Sequence, residues 1–106
     1  MGYKNSIESA KLEMELKNTL PEIDKILAKI ETFTSCIASL YEHDKYHDEF
    51  VYEMQMRQCD LLKLVNTLND IAMRAMAINN QRIYFACEDK KLEVRNVMEL
   101  VRNLYM

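Results

Sequence analysis

Between Ile23 and Tyr41 the apolar side chains fall at Ile23, Ile26, Ile30, Phe33, Ile37 and Leu40. The intervals alternate three and four, the a/d repeat of a helix that lays a seam against another helix. Leu27, Thr34 and Tyr41 widen that seam to the breadth of a bundle helix. The register continues without a skip through Asp44, His47, Val51, Met54, Gln58, Leu61, Val65, Leu68, Ala72 and Ala75. Two arrangements fit: one helix from residue 22 to Asn79, or a chain that turns back within Glu42 to Asp48. The turn is favoured, because Asp44 and His47 at successive seam positions are costly to bury.

The rest of the chain follows the same logic. Residues 4–19 predict a short first helix with two loose stripes, Ile7, Ala10 and Met14 on one and Leu12, Leu16 and Leu20 on the other. Thr19, Pro21 and Glu22 read as the start of a second helix, Thr19 capping and Glu22 completing a capping box. Residues 48–79 carry two overlapping stripes, broken on one by Arg57, so that helix lies between neighbours. Asn79 and Asn80 mark its end, since Asn tolerates the left-handed conformation and also caps the next helix. Ile83, Cys87, Val94, Val97, Val101 and Leu104 then repeat at heptad spacing over residues 81–105, with Lys90 the one polar member.

The predicted fold is all-α: an antiparallel bundle or coiled-coil hairpin of three long helices plus a short N-terminal one, in a single domain over 1–106. Helices are expected at about 4–19, 22–42, 48–79 and 81–105. Composition sharpens this, because one Gly and one Pro leave almost no residues for tight hairpin turns and argue against sheets. Eight Met add deformable apolar surface.

Charge and cysteine use restrict function. A net charge of −3 gives no field to attract phosphate backbones. The basic residues of the last helix, Arg82, Lys90, Lys91, Arg95 and Arg102, are interleaved with acids and read as a solvated face, so nucleic acid is not an expected partner. Three cysteines, odd in number and within helical patterns, predict reduced thiols and a cytoplasmic location. No apolar run reaches the ~18 residues that would span a bilayer, so no membrane is expected.

The one cluster with metal-ligand chemistry runs from Glu42 to Glu49. On a helix, His43 and His47 share a face and Asp44 pairs with His47, a spacing from which helical metal sites are built. The remaining core positions are aliphatic and offer no further ligands, so the cluster reads as an acidic connection, with His43, Asp44 and His47 as metal candidates. The alternative function is a weak metal-dependent helical enzyme using residues 42–53, with Glu42, His43, Asp44, His47 and Glu53. Glu49 and Glu53 with Asp60 or Asp70 do not reproduce the acidic spacing of a Mg²⁺-dependent nucleotide pyrophosphatase.

The expected function is therefore non-enzymatic and free of cofactors: an adaptor, small assembly subunit or inhibitor that buries an aliphatic and Met-rich helical face. Its expected partners are helical proteins, including a second copy in a homodimer. The residues expected to carry binding are Ile30, Phe33, Ile37, Leu40, Phe50, Met54, Leu61, Leu64, Leu68 and Ile71.

Overall fold

The computed structural model describes residues 2–40 and 47–105, with the side chains of 2–5, 35–40, 47, 48, 50, 104 and 105 left out. Among the described residues there are three helices and no strand: α1 (Gly2–Leu40), α2 (His47–Ala77) and α3 (Gln81–Tyr105). Each packs against the other two. The molecule measures 62 × 19 × 16 Å, a length close to the ~58 Å expected of the 39 residues of α1 at ~1.5 Å each.

Cross-helix pairs set the directions. Glu15 meets Arg74 and Ser9 meets Asn80, so α2 runs antiparallel to α1. Lys91 meets Asn69, so α3 runs antiparallel to α2. Glu13 pairs with Arg82 and Asp24 with Lys90, so α3 runs parallel to α1. Because α2 begins at His47 and lies back along α1, the continuous helix from residue 22 to Asn79 is not formed. The turn expected at 42–48 falls mostly outside the described residues.

The expected break at Thr19 to Pro21 is corrected: α1 is one helix with Pro21 inside it, not two. Thr19 is buried, and its hydroxyl donates to the Glu15 carbonyl one turn back at 2.7 Å instead of capping a new helix. An interior proline costs ~3 kcal/mol through its missing donor and the ring's clash with the preceding turn. Against that stands a single buried face. Leu12, Leu16, Thr19, Ile23, Leu27 and Ile30 are all buried at intervals of three and four, with no change of phase across Pro21. Full burial of each Leu or Ile is worth ~1.5–3 kcal/mol, so continuity of the face outweighs the local break. The exposed Pro21 ring sits on the opposite side.

The core joins this α1 face to Met54, Leu61, Leu68, Ile71, Ala72 and Ala75 of α2 and to Ile83, Cys87, Val94 and Val101 of α3. Ile26 and Phe33 lie at its margin, so the centre of the α1 seam passes through Leu27. Of the two stripes at residues 7–20, the one through Leu12 and Leu16 is buried, while Ile7 and Met14 are exposed.

The α2–α3 connection is tightly specified. Asn79 has φ 59°, in the left-handed region. Asn80 N–H donates to the Ala75 carbonyl at 2.8 Å, and Asn79 N–H to that of Met76 at 3.1 Å. These two bonds are a Schellman termination. Asn80 then caps α3, its Oδ1 accepting from Ile83 N–H at 3.2 Å, and its Nδ2 donates to Ser9 Oγ at 3.1 Å, tying the turn to α1.

Candidate protein interaction face

The polar exceptions to the apolar stripes come first. Lys90 occupies a seam position, and only 16% of its side chain is exposed. Its stem lies along the core edge while Nζ reaches Asp24 and Glu93, each at 2.8 Å. Burial alone would lower its pKa, but the two carboxylates more than reverse that and hold it above 10.5. Arg57, which interrupts the second α2 stripe, reaches Glu53 at 3.6 Å and Asp60 at 3.8 Å. Arg74 grips Glu15 of α1 and Asp70 of its own helix, and those hydrogen bonds raise its pKa. Burial pushes the Cys87 thiol up, so it is an inert core group.

Most of the residues expected to carry binding are occupied within the chain. Ile30, Met54, Leu61, Leu68 and Ile71 are buried against one another in the three-helix core, with Phe33 and Leu64 packed on its margin. Ile37, Leu40 and Phe50 lie on helical backbone, but their side chains are outside the described residues. Among the metal candidates, His43 and Asp44 lie outside the described residues. His47 opens α2, and its side chain is not described. Among the described residues, no three His, Cys, Asp or Glu side chains are placed to hold a metal ion.

Among the described residues, large apolar side chains are exposed at other positions, Tyr52, Met56 and Leu100 among them. On α2, Leu62 is 61% exposed, Met73 74% and Met76 63%. On α3, Phe85 and Leu92 are each more than half exposed. Helical geometry places Leu62, Met73, Met76 and Leu92 along the α2–α3 side. Asn69 and Lys91, joined at 2.7 Å, mark the edge of α2 that faces α3 and the edge of α3 that faces α2. Leu62, Met73 and Met76 lie one or two turns from Asn69 on that edge of α2, and Leu92 adjoins Lys91. Between them runs an open groove of about 380 Å³, lined by Val65, Asn69, Glu88, Lys91, Leu92, Val94 and Arg95.

The groove's polar groups are ordered. Lys91 Nζ lies 2.8 Å from Glu88 Oε1 as well as donating to Asn69 Oδ1, so its charge is compensated within the chain. Arg95 stands exposed one turn further along α3. The groove is mixed in character, with Val65, Leu92 and Val94 among Asn69, Lys91, Glu88 and Arg95.

A search for periodicity misses these residues because it finds the side chains that a fold buries. The signal that could have found them is the remainder: large apolar residues off the heptad stripe, namely Leu62, Met73 and Met76 on α2 and Phe85 and Leu92 on α3.

No protein-family model matches the chain, and neither characterised proteins nor solved structures show a significant match to it. No helix among the described residues is long and apolar enough to cross a membrane.

Proposed function

We propose that this protein is a non-enzymatic interaction module that binds helical protein partners, a second copy of itself among them, through an apolar, Met-rich helical face. The observation that carries the reading is the exposure of Leu62, Met73 and Met76 on the edge of α2 that bears Asn69, beside a groove between α2 and α3 that the exposed Leu92 lines. Isolated exposed apolar residues are ordinary, whereas several large ones bordering one groove favour a protein-binding surface. Met73 and Met76 suit the role, since unbranched thioethers adapt to the shape of what they meet. The partner lays a helix along the groove, with its apolar side chains between those of α2 and α3 and its charges meeting Glu88 and Arg95 at the rim.

The test compares two sets of substitutions of similar size. One removes the face (Leu62→Ser, Met73→Ser, Leu92→Ser), and the other removes exposed apolar residues on the outer side of α1 (Ile7→Ser, Met14→Ser). Proteins that co-purify with the wild type from its native cell, and binding of an apolar dye, are expected to fall with the first set and persist with the second. Equal retention with both sets overturns the assignment of the face. Stoichiometric bound metal that disappears on His47→Ala overturns the non-enzymatic reading.

A further inference from the structure

The α2–α3 face is self-complementary about its own midpoint. Taking the Asn69–Lys91 hydrogen bond as the axial origin, Leu62 lies seven residues toward the N-terminus of α2, ~10.5 Å away at the helical rise of ~1.5 Å per residue. Met76 lies seven residues the other way, at the same distance. On α3, Glu88 is ~4.5 Å to the Met76 side and Arg95 ~6 Å to the Leu62 side, because α3 runs antiparallel to α2. Leu92 is one residue from the origin.

A two-fold axis lying in the face, across both helices at this level, inverts the axial direction and leaves each helix opposite its own copy. It sets Leu62 against the partner's Met76 and Met73 against the partner's Val65. Glu88 falls opposite the partner's Arg95, and Leu92 opposite its own counterpart. Along α2 apolar meets apolar, and on α3 each Glu88 meets an Arg95 twice over, as an isologous interface requires. Lys91, near the axis, is held by Asn69 and shares the Glu88 carboxylate with the partner's Arg95.

We infer that the occupant of this face is a second copy of the chain, packed antiparallel about a two-fold axis through the Asn69–Lys91 level, so that two α2–α3 hairpins form a four-helix contact. The inference rests on the proposed interaction function and gives it a specific partner and geometry. The strip is about 21 Å long and two helices, roughly 20 Å, wide, on the order of 400 Å² in projection. A footprint of that size is at the small end for a specific contact, so the dimer is a reversible one.

The charge pattern supplies the test. Glu88→Arg alone and Arg95→Glu alone each place like charges opposite one another twice in a homodimer, and each is expected to weaken dimerisation at least tenfold in sedimentation equilibrium. Mixing the two variants restores both opposite-charge pairs, so a heterodimer should form where neither homodimer does. The double variant Glu88→Arg/Arg95→Glu should return to homodimers. Independently, Leu92→Cys should give a disulfide-linked dimer on mild oxidation, with mass mapping to that position in both chains. Failure of the mixture to associate, together with no disulfide at residue 92, overturns the proposal. If the wild type still dimerises in that case, or still co-purifies with other proteins through the face, the interaction reading stands and only this partner geometry falls. Absence of both dimer and face-dependent partners removes the two together.

Discussion

Arg74 and Glu15, 59 residues apart in sequence, form a two-pronged ion pair across α1 and α2, with Nη1 to Oε1 at 2.9 Å and Nη2 to Oε2 at 2.8 Å. Asp70, one turn before Arg74, takes a second bond from Nη1 at 3.1 Å. The fork fixes the axial register of the two longest helices, because a planar guanidinium satisfies both carboxylate oxygens in one alignment only. Both side chains are more than a third exposed, so solvent screening keeps the energy small. A double-mutant cycle with Arg74→Ala and Glu15→Ala in urea unfolding should give a coupling of about 0.5–1 kcal/mol. Arg74→Lys should lose most of that coupling despite keeping the charge.

Pro21→Ala should stabilise the protein. It restores a donor for the Lys17 carbonyl in an unbroken helix and removes the ring, recovering part of the ~3 kcal/mol that interior proline costs, less the greater freedom of the unfolded chain. A gain of about 1–2 kcal/mol in urea unfolding is expected. A loss of stability would mean that the helix needs a bend at Pro21 to follow its partners.

Lys90 ties stability to alkaline pH. Its folded pKa is raised above 10.5, so its protonated form is favoured by folding. That contribution is complete below the unfolded pKa and is lost as pH rises through the folded one. Because Asp24 and Glu93 are both more than half exposed, Lys90→Met should cost no more than about 1 kcal/mol at pH 7. The difference from wild type should shrink progressively above pH 10.5, read as unfolding midpoints measured for both proteins across that range.

The two cysteines with described side chains differ in access: Cys59 is exposed and Cys87 is completely buried. Alkylation of the native protein followed by peptide mass mapping should label Cys59 within minutes and leave Cys87 unmodified until denaturant is added. Burial both shields the Cys87 thiol and disfavours its thiolate. Labelling of Cys87 at the rate of Cys59 would show that α3 detaches from the bundle in the native state.

The helices themselves were legible in the sequence wherever local and tertiary signals agree. At Asn79 and Asn80 a residue tolerant of positive φ is followed by a capping residue, and both roles are realised there. The heptad stripe of α3 was legible for the same reason, and its polar member Lys90 is accommodated by carboxylates on α1 and α3. Pro21 is where the signals conflict. Thr19, Pro21 and Glu22 form a strong local start signal, but Leu12 and Leu16 share one face with Ile23 and Leu27, and burial of that face depends on helices far along the chain. Of the residues expected to carry binding, Ile30, Met54, Leu61, Leu68 and Ile71 are buried in the core that α1, α2 and α3 share, because the best periodic positions also serve packing within the chain. Leu62, Met73, Met76 and Leu92 fall outside that pattern, and only the pairing of α2 with α3 puts them beside one groove.

Sedimentation equilibrium over a concentration series, on the wild type and on Leu92→Asp, tests the central claim most directly. The expected wild-type result is a weight-average mass that climbs from 12.6 kDa toward twice that value as concentration rises. Leu92→Asp, which puts a charge at the axis of the face, should hold at the monomer mass with an unchanged unfolding midpoint. A wild type that stays at the monomer mass up to millimolar concentration, or a Leu92→Asp variant that associates as readily as the wild type, would contradict it.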